Sequence, residues 1–248
     1  MKNAILCAVP LLLTGINACA QVPDNEAFTR LFDGVTLTNW VVDDEQYSGN
    51  FSVRDGLLRV QGEGGWLRSE EQYSDFTLRM EFRYLTEDPG RGRVGVSGVF
   101  LRTPAESTWG SGWPDNSLEV QLANRQGFRP AIPGDARWGG AVLRHGNPGG
   151  PTTFDTRVAL RSYGQTGEWQ TMEVQAVADS IYVTLNDHYL GRASAGGNSS
   201  GFIGLQAETG GIEFRSIEIN EGTNGLVKTD AEGFIPLFDG ESFSGWRL

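Results

Sequence analysis

The sequence of this 248-residue chain predicts an all-β protein, a sandwich of antiparallel sheets. Short runs of alternating apolar and polar residues recur along it, turn residues separate them, and helical periodicity is nearly absent. The 34 glycines suit the many tight turns of such a fold. About eleven runs are predicted to be strands, and none a helix: Phe51–Arg54, Leu57–Gln61, Phe76–Leu85, Val94–Arg102, Ser117–Ala123, Gly140–Arg144, Trp169–Ala178, Ser180–Leu185, Tyr189–Arg192, Gly201–Gln206 and Ile212–Asn220.

The first residues of the chain have the features of an export signal. Lys2 precedes an apolar stretch that is too short to span a membrane, and small residues follow it. A cleavage after Ala20 and a loose lipobox ending at Cys19 are both consistent with this leader. We therefore expect a signal peptide over residues 1–20 and an exported protein. It is expected to be periplasmic, or a bacterial lipoprotein whose contact with the membrane is a lipid anchor at Cys19.

Charge and cysteine content exclude several classes of function. The formal net charge is −11, which argues against nucleic acid and anionic membrane surfaces as partners and suits neutral ligands such as sugars. Both cysteines, Cys7 and Cys19, lie in the leader. The exported part is therefore expected to lack disulfides and thiolate metal sites, and to depend on its hydrophobic core for stability.

One segment of the chain is repeated. LFDGVTLTNW at Leu31–Trp40 returns as LFDGESFSGW at Leu237–Trp246, with five positions identical in register. We interpret residues 28–220 as one domain, 221–236 as a linker and 237–248 as the truncated start of a second copy of the domain. A second copy within a longer chain is accordingly an expected partner.

The strand Ser117–Ala123 carries the first candidate site. Its Leu and Val side chains fall on one face, and Glu119 and Gln121 fall on the other. A nearby stretch rich in Gly and Ser contains Trp109 and Trp113. A carboxylate, an amide and aromatic rings are suited to binding sugars, but a strand with one solvated face has the same pattern. The residues alone leave both interpretations open.

A set of motifs, in this order and spacing, resembles the 3-keto-disaccharide hydrolase domain family. The resemblance runs from Leu31 to about Ile219. It implies a concanavalin- or laminarinase-like jelly roll of two curved antiparallel sheets with the ligand in a concave groove. It also implies hydrolase activity on 3-keto-glycosides. The motifs are LFDG…W (Leu31–Trp40), DFTLRMEFR (Asp75–Arg83), SGVFLR (Ser97–Arg102), LEVQL (Leu118–Leu122), GEWQTMEV (Gly167–Val174), LND (Leu185–Asp187) and GFIGLQ…IEFRSIEI (Gly201–Ile219).

The chain departs from the family pattern at four positions. Val96 stands where Asn is usual, Ala207 and Glu208 replace an Asp-His pair, and Gln170 replaces another Asn. Val96 and the Ala207–Glu208 pair are expected to lie in the groove.

The resemblance implies a particular chemistry. A 3-keto sugar has an acidic C2 hydrogen, so the glycosidic bond can break by elimination and water can then add back. Glu119 is expected to be the base or acid, and His145 is a second candidate for proton transfer. Arg102 is expected either to polarise the ketone oxygen or to form a structural pair with Glu119. A direct glycosidase needs a second carboxylate across the bond, and the Glu119–Gln121 strand does not supply one.

The remaining candidates are expected to bind substrate. Gln121 and Gln206 are assigned to sugar hydroxyls, and Glu208 is a candidate second carboxylate. Trp109 and Trp113 are assigned as stacking platforms. No cofactor is expected; a metal site is left unassigned, with a structural calcium ion still open.

The sequence thus predicts an exported glycosidase-like hydrolase that acts on 3-keto-glycosides by elimination and hydration. A non-catalytic carbohydrate-binding module is the main alternative. A cell-surface adhesion module and direct glucan hydrolysis are weaker ones. In the first two cases the expected partner is a carbohydrate.

Overall fold

A computed structural model gives the fold, and it describes residues 28–85, 95–107, 113–123, 142–145 and 152–221. Within these ranges the strands form two antiparallel sheets. The strands, numbered in chain order from β1 to β15, are Thr29–Arg30, Trp40–Val41, Phe51–Arg54, Leu57–Gln61, Trp66–Tyr73, Phe76–Tyr84, Val96–Thr103, Ser117–Ala123, Val142–His145, Thr152–Phe154, Gln170–Val177, Ser180–Leu185, His188–Ser194, Gly201–Gln206 and Gly211–Asn220.

The two sheets pack face to face in a jelly-roll sandwich. In the described part of the chain the larger sheet has nine strands, in the order β10-β13-β12-β11-β6-β15-β4-β3, with β1 paired to β15. The smaller sheet has six strands, in the order β2-β5-β14-β7-β8-β9. Neighbouring strands are often far apart in sequence, as in a jelly roll, so the fold class predicted above is confirmed.

Alternation along the strands places the core between the sheets. In β6 the side chains of Phe76, Leu78, Met80 and Phe82 are fully buried and face inward. The apolar side chains of β8 meet them from the smaller sheet. Each strand therefore has one face in the core and one turned away from it, as the period of two requires.

The repeated motif explains how the domain begins. Leu31 and Phe32 are buried in the core, and their amides donate to the Ile217 carbonyl on β15. The Asp33 carboxylate accepts hydrogen bonds from the amide and the hydroxyl of Thr36 and from the amide of Val35, which lowers its pKa. The motif is therefore a structural element that fastens the first strand to the larger sheet.

The sequence patterns missed one long strand and one helix. Strand β5 (Trp66–Tyr73) was not predicted because Glu70, Glu71 and Gln72 at its solvated end interrupt the alternation. The prediction that the chain has no helix is wrong. Helix α1 (Thr156–Ser162) begins at Asp155, whose carboxylate accepts from two amides of the first turn, and Glu45–Asn50 forms a 3-10 helix.

None of the helices in the described ranges has the length and apolar composition that crossing a bilayer requires. The predicted signal peptide, residues 222–236 of the predicted linker and the second motif at Leu237–Trp246 lie outside the described residues.

Candidate functional site

The face of the six-stranded sheet that is turned away from the core holds the candidate site. Glu119 and Gln121 alternate on β8 with core residues, so they lie on this outer face. Both are nevertheless buried, with relative exposures of 1% and 4%. The interpretation of this side as an ordinary solvated strand face is therefore wrong, because a solvated face would leave a glutamate largely accessible.

A glycine on the neighbouring strand makes room for the carboxylate. Gly98 on β7 pairs with Gln121, and Phe100 pairs with Glu119. A methyl group added at Gly98 would lie only 1.9 Å from Glu119 Oε1. The Glu119 carboxyl group thus rests directly on the β7 backbone, in space that any other residue would fill.

Gln206 approaches the same glycine from the opposite strand. Strand β14 pairs with β7 through Gly204 with Phe100 and Leu205 with Val99, and this register brings Gln206 opposite Gly98. Gln206 is 2% exposed, and its Oε1 has no hydrogen-bond partner among the described residues. We call Glu119, Gln121 and Gln206 around Gly98 the Gly98 hollow.

An aromatic pair borders the hollow. Trp66 on β5 pairs with Gln206, and its ring lies on Gly204, where an added methyl group would come within 2.2 Å of it. The Trp66 and Phe100 rings meet edge to face at 5.6 Å. Both rings are buried but belong to the outer face rather than to the main core. One carboxylate, two amides and an aromatic wall therefore share this face.

This set of groups has a clear chemical capacity. A carboxyl group shielded from water can accept or donate a proton, and its electrostatic interactions are stronger than in bulk water. The two primary amides can each donate and accept hydrogen bonds, as sugar hydroxyls require. The Gly98 hollow is thus equipped both to bind a polyol and to move a proton.

Arg102 does not contribute to this set, contrary to the sequence prediction. Its φ of 46° breaks the alternation, so its side chain leaves the face that carries Phe100. The fully buried guanidinium donates to the carbonyls of Ser74, Ala178 and Asn198 and to the Asp75 carboxylate at 2.8 Å. Burial lowers the pKa of Arg102, and Asp75 opposes that change. Both the ketone-polarising role and the pair with Glu119 are replaced by a structural pair with Asp75.

The Arg102 network also fixes the strand that carries Glu119. Asn198 donates from its side chain to the carbonyls of Arg102 and Asn116, at 3.2 and 2.7 Å. The Arg102 carbonyl lies one residue before the end of β7, and the Asn116 carbonyl immediately precedes β8. Asn198 therefore bridges the C-terminal end of β7 and the N-terminal end of β8. No sequence pattern predicts this role, because the polar stretch around Asn198 has no feature that distinguishes a residue bridging two strands.

The other predicted site residues are distributed as follows. The backbone of His145 on β9 pairs with Ser117, two residues along the ladder from the pair formed by Glu119 and Leu143. Trp113 is half-buried just before β8, and Trp109 lies outside the described residues. Glu208 is half-buried two residues beyond the end of β14. Glu119, Gln121 and Gln206 are thus brought together, and Arg102 is not.

Three of the four departures from the family pattern, Val96, Ala207 and Glu208, lie at one end of this sheet, and the fourth, Gln170, lies on β11 of the nine-stranded sheet. Ala207 is buried in the core and exchanges backbone hydrogen bonds with Gly64 and Gly65, so its expected place in the groove is wrong. Val96 pairs with Thr209 through two backbone hydrogen bonds.

Gly98 and Gly204 are the site residues to which the sequence patterns assigned no role, whereas Trp66 was one of the tryptophans that the sequence offered as candidates for sugar stacking. The two glycines interrupt strand runs that are otherwise apolar, and such glycines often mark a close approach by another group. In the described ranges, no cluster of three or more His, Cys, Asp or Glu side chains is arranged to hold a metal ion.

The outer face of the nine-stranded sheet has a different character. There Glu213 is fully buried between Arg59 and Arg83, at 2.6 and 2.7 Å, and Arg215 pairs with Glu81. Both carboxylates form ion pairs with arginines, which favours a structural role for that face.

Comparison with known proteins agrees with the fold. Two candidate glycosyl hydrolases of Parabacteroides distasonis ATCC 8503 are similar. One has a TM-score of 0.56 at 21% identity, with 77% of this chain and 98% of that chain covered. The other has 0.57 at 16%, with 79% and 95% covered. The metal-free carbohydrate recognition domain of Emp46p gives 0.51 at 14% identity, covering 80% and 97%. These likenesses show the fold alone.

No curated protein matches the sequence. Residues 27–220, however, match the family described as 3-keto-alpha-glucoside-1,2-lyase-like domains. This match covers both described sheets and the Gly98 hollow, and it confirms the resemblance drawn from the motifs. The chain belongs to the 3-keto-alpha-glucoside-1,2-lyase-like domain family.

Proposed function

We propose that this domain cleaves 3-keto-glycosides by elimination across C1 and C2, followed by hydration, and that Glu119 is the group that removes the C2 proton. The observation that carries the proposal is the buried Glu119 carboxylate resting on Gly98 with two amides beside it. The family assignment supports the choice of a 3-keto sugar as the substrate class.

The proposed reaction balances as follows. Glu119 takes the C2 proton, and the C–H electron pair moves into the C2–C3 bond to form an enolate on the ketone oxygen. The enolate then collapses, forming the C1–C2 double bond and expelling the glycosidic oxygen, which takes up a proton. Water adds at C1 and a proton returns to C2, giving the free 3-keto sugar and the released alcohol.

The surroundings of Glu119 suit this role. Burial strengthens the interaction of the carboxylate with the acidified C–H bond and excludes competing water. Gln121 and Gln206 are assigned to the sugar hydroxyls or to the ketone oxygen, because an amide N–H stabilises a developing enolate charge. His145 and Glu208 remain candidates for the group that protonates the leaving oxygen.

The experiment is turnover of a 3-keto-α-glucoside disaccharide, followed by NMR of the released sugars. Glu119→Gln keeps the shape of the side chain and removes its basicity, so the rate is expected to fall by at least about 100-fold. The matched control is Glu70→Gln, an exposed glutamate on β5 of the same sheet, which should turn over like the wild type.

A carbohydrate-binding module is the second candidate, and the same residues support it, because amides beside an aromatic wall also bind sugars without chemistry. Binding of the disaccharide by calorimetry with no product, in both the wild type and Glu119→Gln, would establish binding in place of catalysis. Full turnover by Glu119→Gln would remove Glu119 from the mechanism.

Export belongs to the same proposal and rests on residues 1–20 of the sequence. Labelling cells with a radioactive fatty acid tests the lipid anchor. Label that is lost in Cys19→Ser supports a lipoprotein, and an unlabelled secreted protein supports cleavage after Ala20.

A further inference from the structure

A cavity on the outer face of the nine-stranded sheet lies apart from the Gly98 hollow. It has a volume of about 350 Å³ and is lined by residues from the start of the domain, from β6 and from β15. Sites for small molecules in proteins have volumes of about 300–1,000 Å³. The core of the sandwich separates this cavity, which we call the β15 cavity, from the hollow on the other sheet.

A bulge in β15 forms part of the cavity wall. The register of β15 with β6 shifts between Phe214 and Ser216, so Arg215 is an extra residue on that strand. Arg215 and Ser216 are consecutive and both line the cavity, whereas Phe214 and Ile217 on either side of them are buried in the core. In a regular strand one of the two lining residues would face inward. Bulges are over-represented next to active sites, where they re-aim side chains.

Two arginines of the cavity are held in fixed positions. The Arg215 guanidinium donates from Nε and Nη2 to the Glu81 carboxylate, at 2.9 and 2.6 Å, and lies 4.6 Å from the centre of the Trp169 ring. The Arg79 guanidinium lies 4.2 Å from the centre of the Phe28 ring. A guanidinium fixed in this way loses little further side-chain entropy when its other N–H groups donate to a ligand.

The charges around the cavity balance. Its lining has three guanidinium groups and three carboxylates, which belong to Arg30, Arg79, Arg215, Asp33, Glu81 and Glu218. A charged ligand gains no net attraction from such a set. A neutral ligand with neighbouring hydroxyl groups can accept from a guanidinium and donate to a carboxylate at the same time. The lining therefore suits a polyol better than an anion or a cation.

From this geometry we propose that the β15 cavity is a second binding site, which takes a neutral sugar on the sheet opposite the Gly98 hollow. Its volume accommodates roughly one or two pyranose rings. The guanidinium groups donate to the oxygens of the sugar, and the carboxylates accept from its hydroxyl groups. Binding at this site does not depend on the chemistry proposed for Glu119.

An NMR titration of the ¹⁵N-labelled protein with maltose, a neutral glucose disaccharide, tests the proposal. Over about 0.1–20 mM maltose, the amide signals of Gly34 and Ser216 should shift saturably with a Kd of about 1 mM. Sodium phosphate over the same range should shift neither signal, because balanced charges do not attract an anion. A saturable shift with phosphate would overturn the proposal. So would maltose shifts confined to Gly98 and Gly204, or no saturable shift with maltose.

A matched pair of arginines tests whether the sugar lies in the cavity. Arg30→Gln removes a side chain that is 74% exposed and lies 3.6 Å from Glu218, so the fold should tolerate the change. It should raise the Kd for maltose at least about 5-fold. The control is Arg54→Gln on β3 of the same sheet, outside the cavity lining, where the arginine is 70% exposed and lies 3.5 Å from Asp55. The control should bind like the wild type, and equal Kd values for the two variants would overturn the proposal.

Filling the cavity gives an independent test. Ser216→Phe places a ring in the β15 cavity without removing any of its charged groups, and Phe is well suited to a strand. The maltose response of the Gly34 amide should be lost, while the Tm stays within about 3 °C of the wild type. A folded Ser216→Phe protein that binds maltose like the wild type would overturn the proposal.

Discussion

Replacing Gly98 with alanine puts a methyl group where the Glu119 carboxyl group lies. The added carbon would sit 1.9 Å from Oε1, 2.4 Å from Cδ and 2.5 Å from Cγ of Glu119. Such contacts are far shorter than van der Waals separation, so the glutamate must move. The β7 backbone is paired on both sides and resists displacement.

The size of the effect follows from that overlap. To reach an ordinary van der Waals contact of about 3.4 Å with the added methyl carbon, Glu119 Oε1 must shift by roughly 1.5 Å. Misplacing a reacting group by about 1 Å can cost around 100-fold in rate. We expect kcat on a 3-keto-glycoside to fall by at least that factor, and overpacking to cost about 1–3 kcal/mol of unfolding free energy.

The assay compares kcat, KM and the denaturation midpoint of Gly98→Ala with those of Gly49→Ala. An added methyl group at Gly49 meets no heavy atom within 4 Å. The control should match the wild type in activity. Wild-type kcat in a folded Gly98→Ala protein would refute the idea that the position of Glu119 on Gly98 matters for the chemistry.

Two further predictions concern stability. Arg102→Leu leaves three carbonyls and Asp75 without their buried donor. The unfolding free energy, measured by urea titration, should therefore fall by about 3 kcal/mol. An unchanged midpoint would contradict the structural role of Arg102. Burial raises the pKa of Tyr84 and Tyr163 in the folded state. In the unfolded chain these two tyrosines ionise near pH 10, whereas in the folded protein they stay protonated there, so their contribution to stability should be complete below pH 10 and fall above it. The slope should approach about 3 kcal/mol per pH unit, and Tyr84→Phe with Tyr163→Phe should flatten it in urea titrations from pH 8 to 11.5.

The alternation of apolar residues was sufficient to predict the sandwich, because a strand with one buried face has an apolar residue at every second position. Ser117–Ala123, Ser180–Leu185 and Gly201–Gln206 have the predicted bounds. Trp66–Tyr73 escaped prediction because its second half is exposed and charged. Helix α1 was missed because only seven residues form it.

The site was predictable only in part. Glu119 and Gln121 followed from their face of β8, and Gln206 from the family motifs. The role of Arg102 depends on a positive φ and on carbonyls from three distant turns, none of which has a sequence signal. The hollow itself depends on the pairing of β7 with β8, which makes Gly98 the neighbour of Glu119.

The most direct test of the central claim is to let the protein cleave a 3-keto-glycoside in D₂O and to read the C2 position of the released 3-keto sugar by NMR. A reaction without protein corrects for spontaneous exchange. Removal of the C2 proton followed by hydration predicts one deuterium at C2 of the released 3-keto sugar. It predicts no deuterium at the carbons of the released alcohol. Product that retains hydrogen at C2, together with no primary isotope effect when a substrate deuterated at C2 is cleaved, would contradict elimination and point to direct displacement at C1.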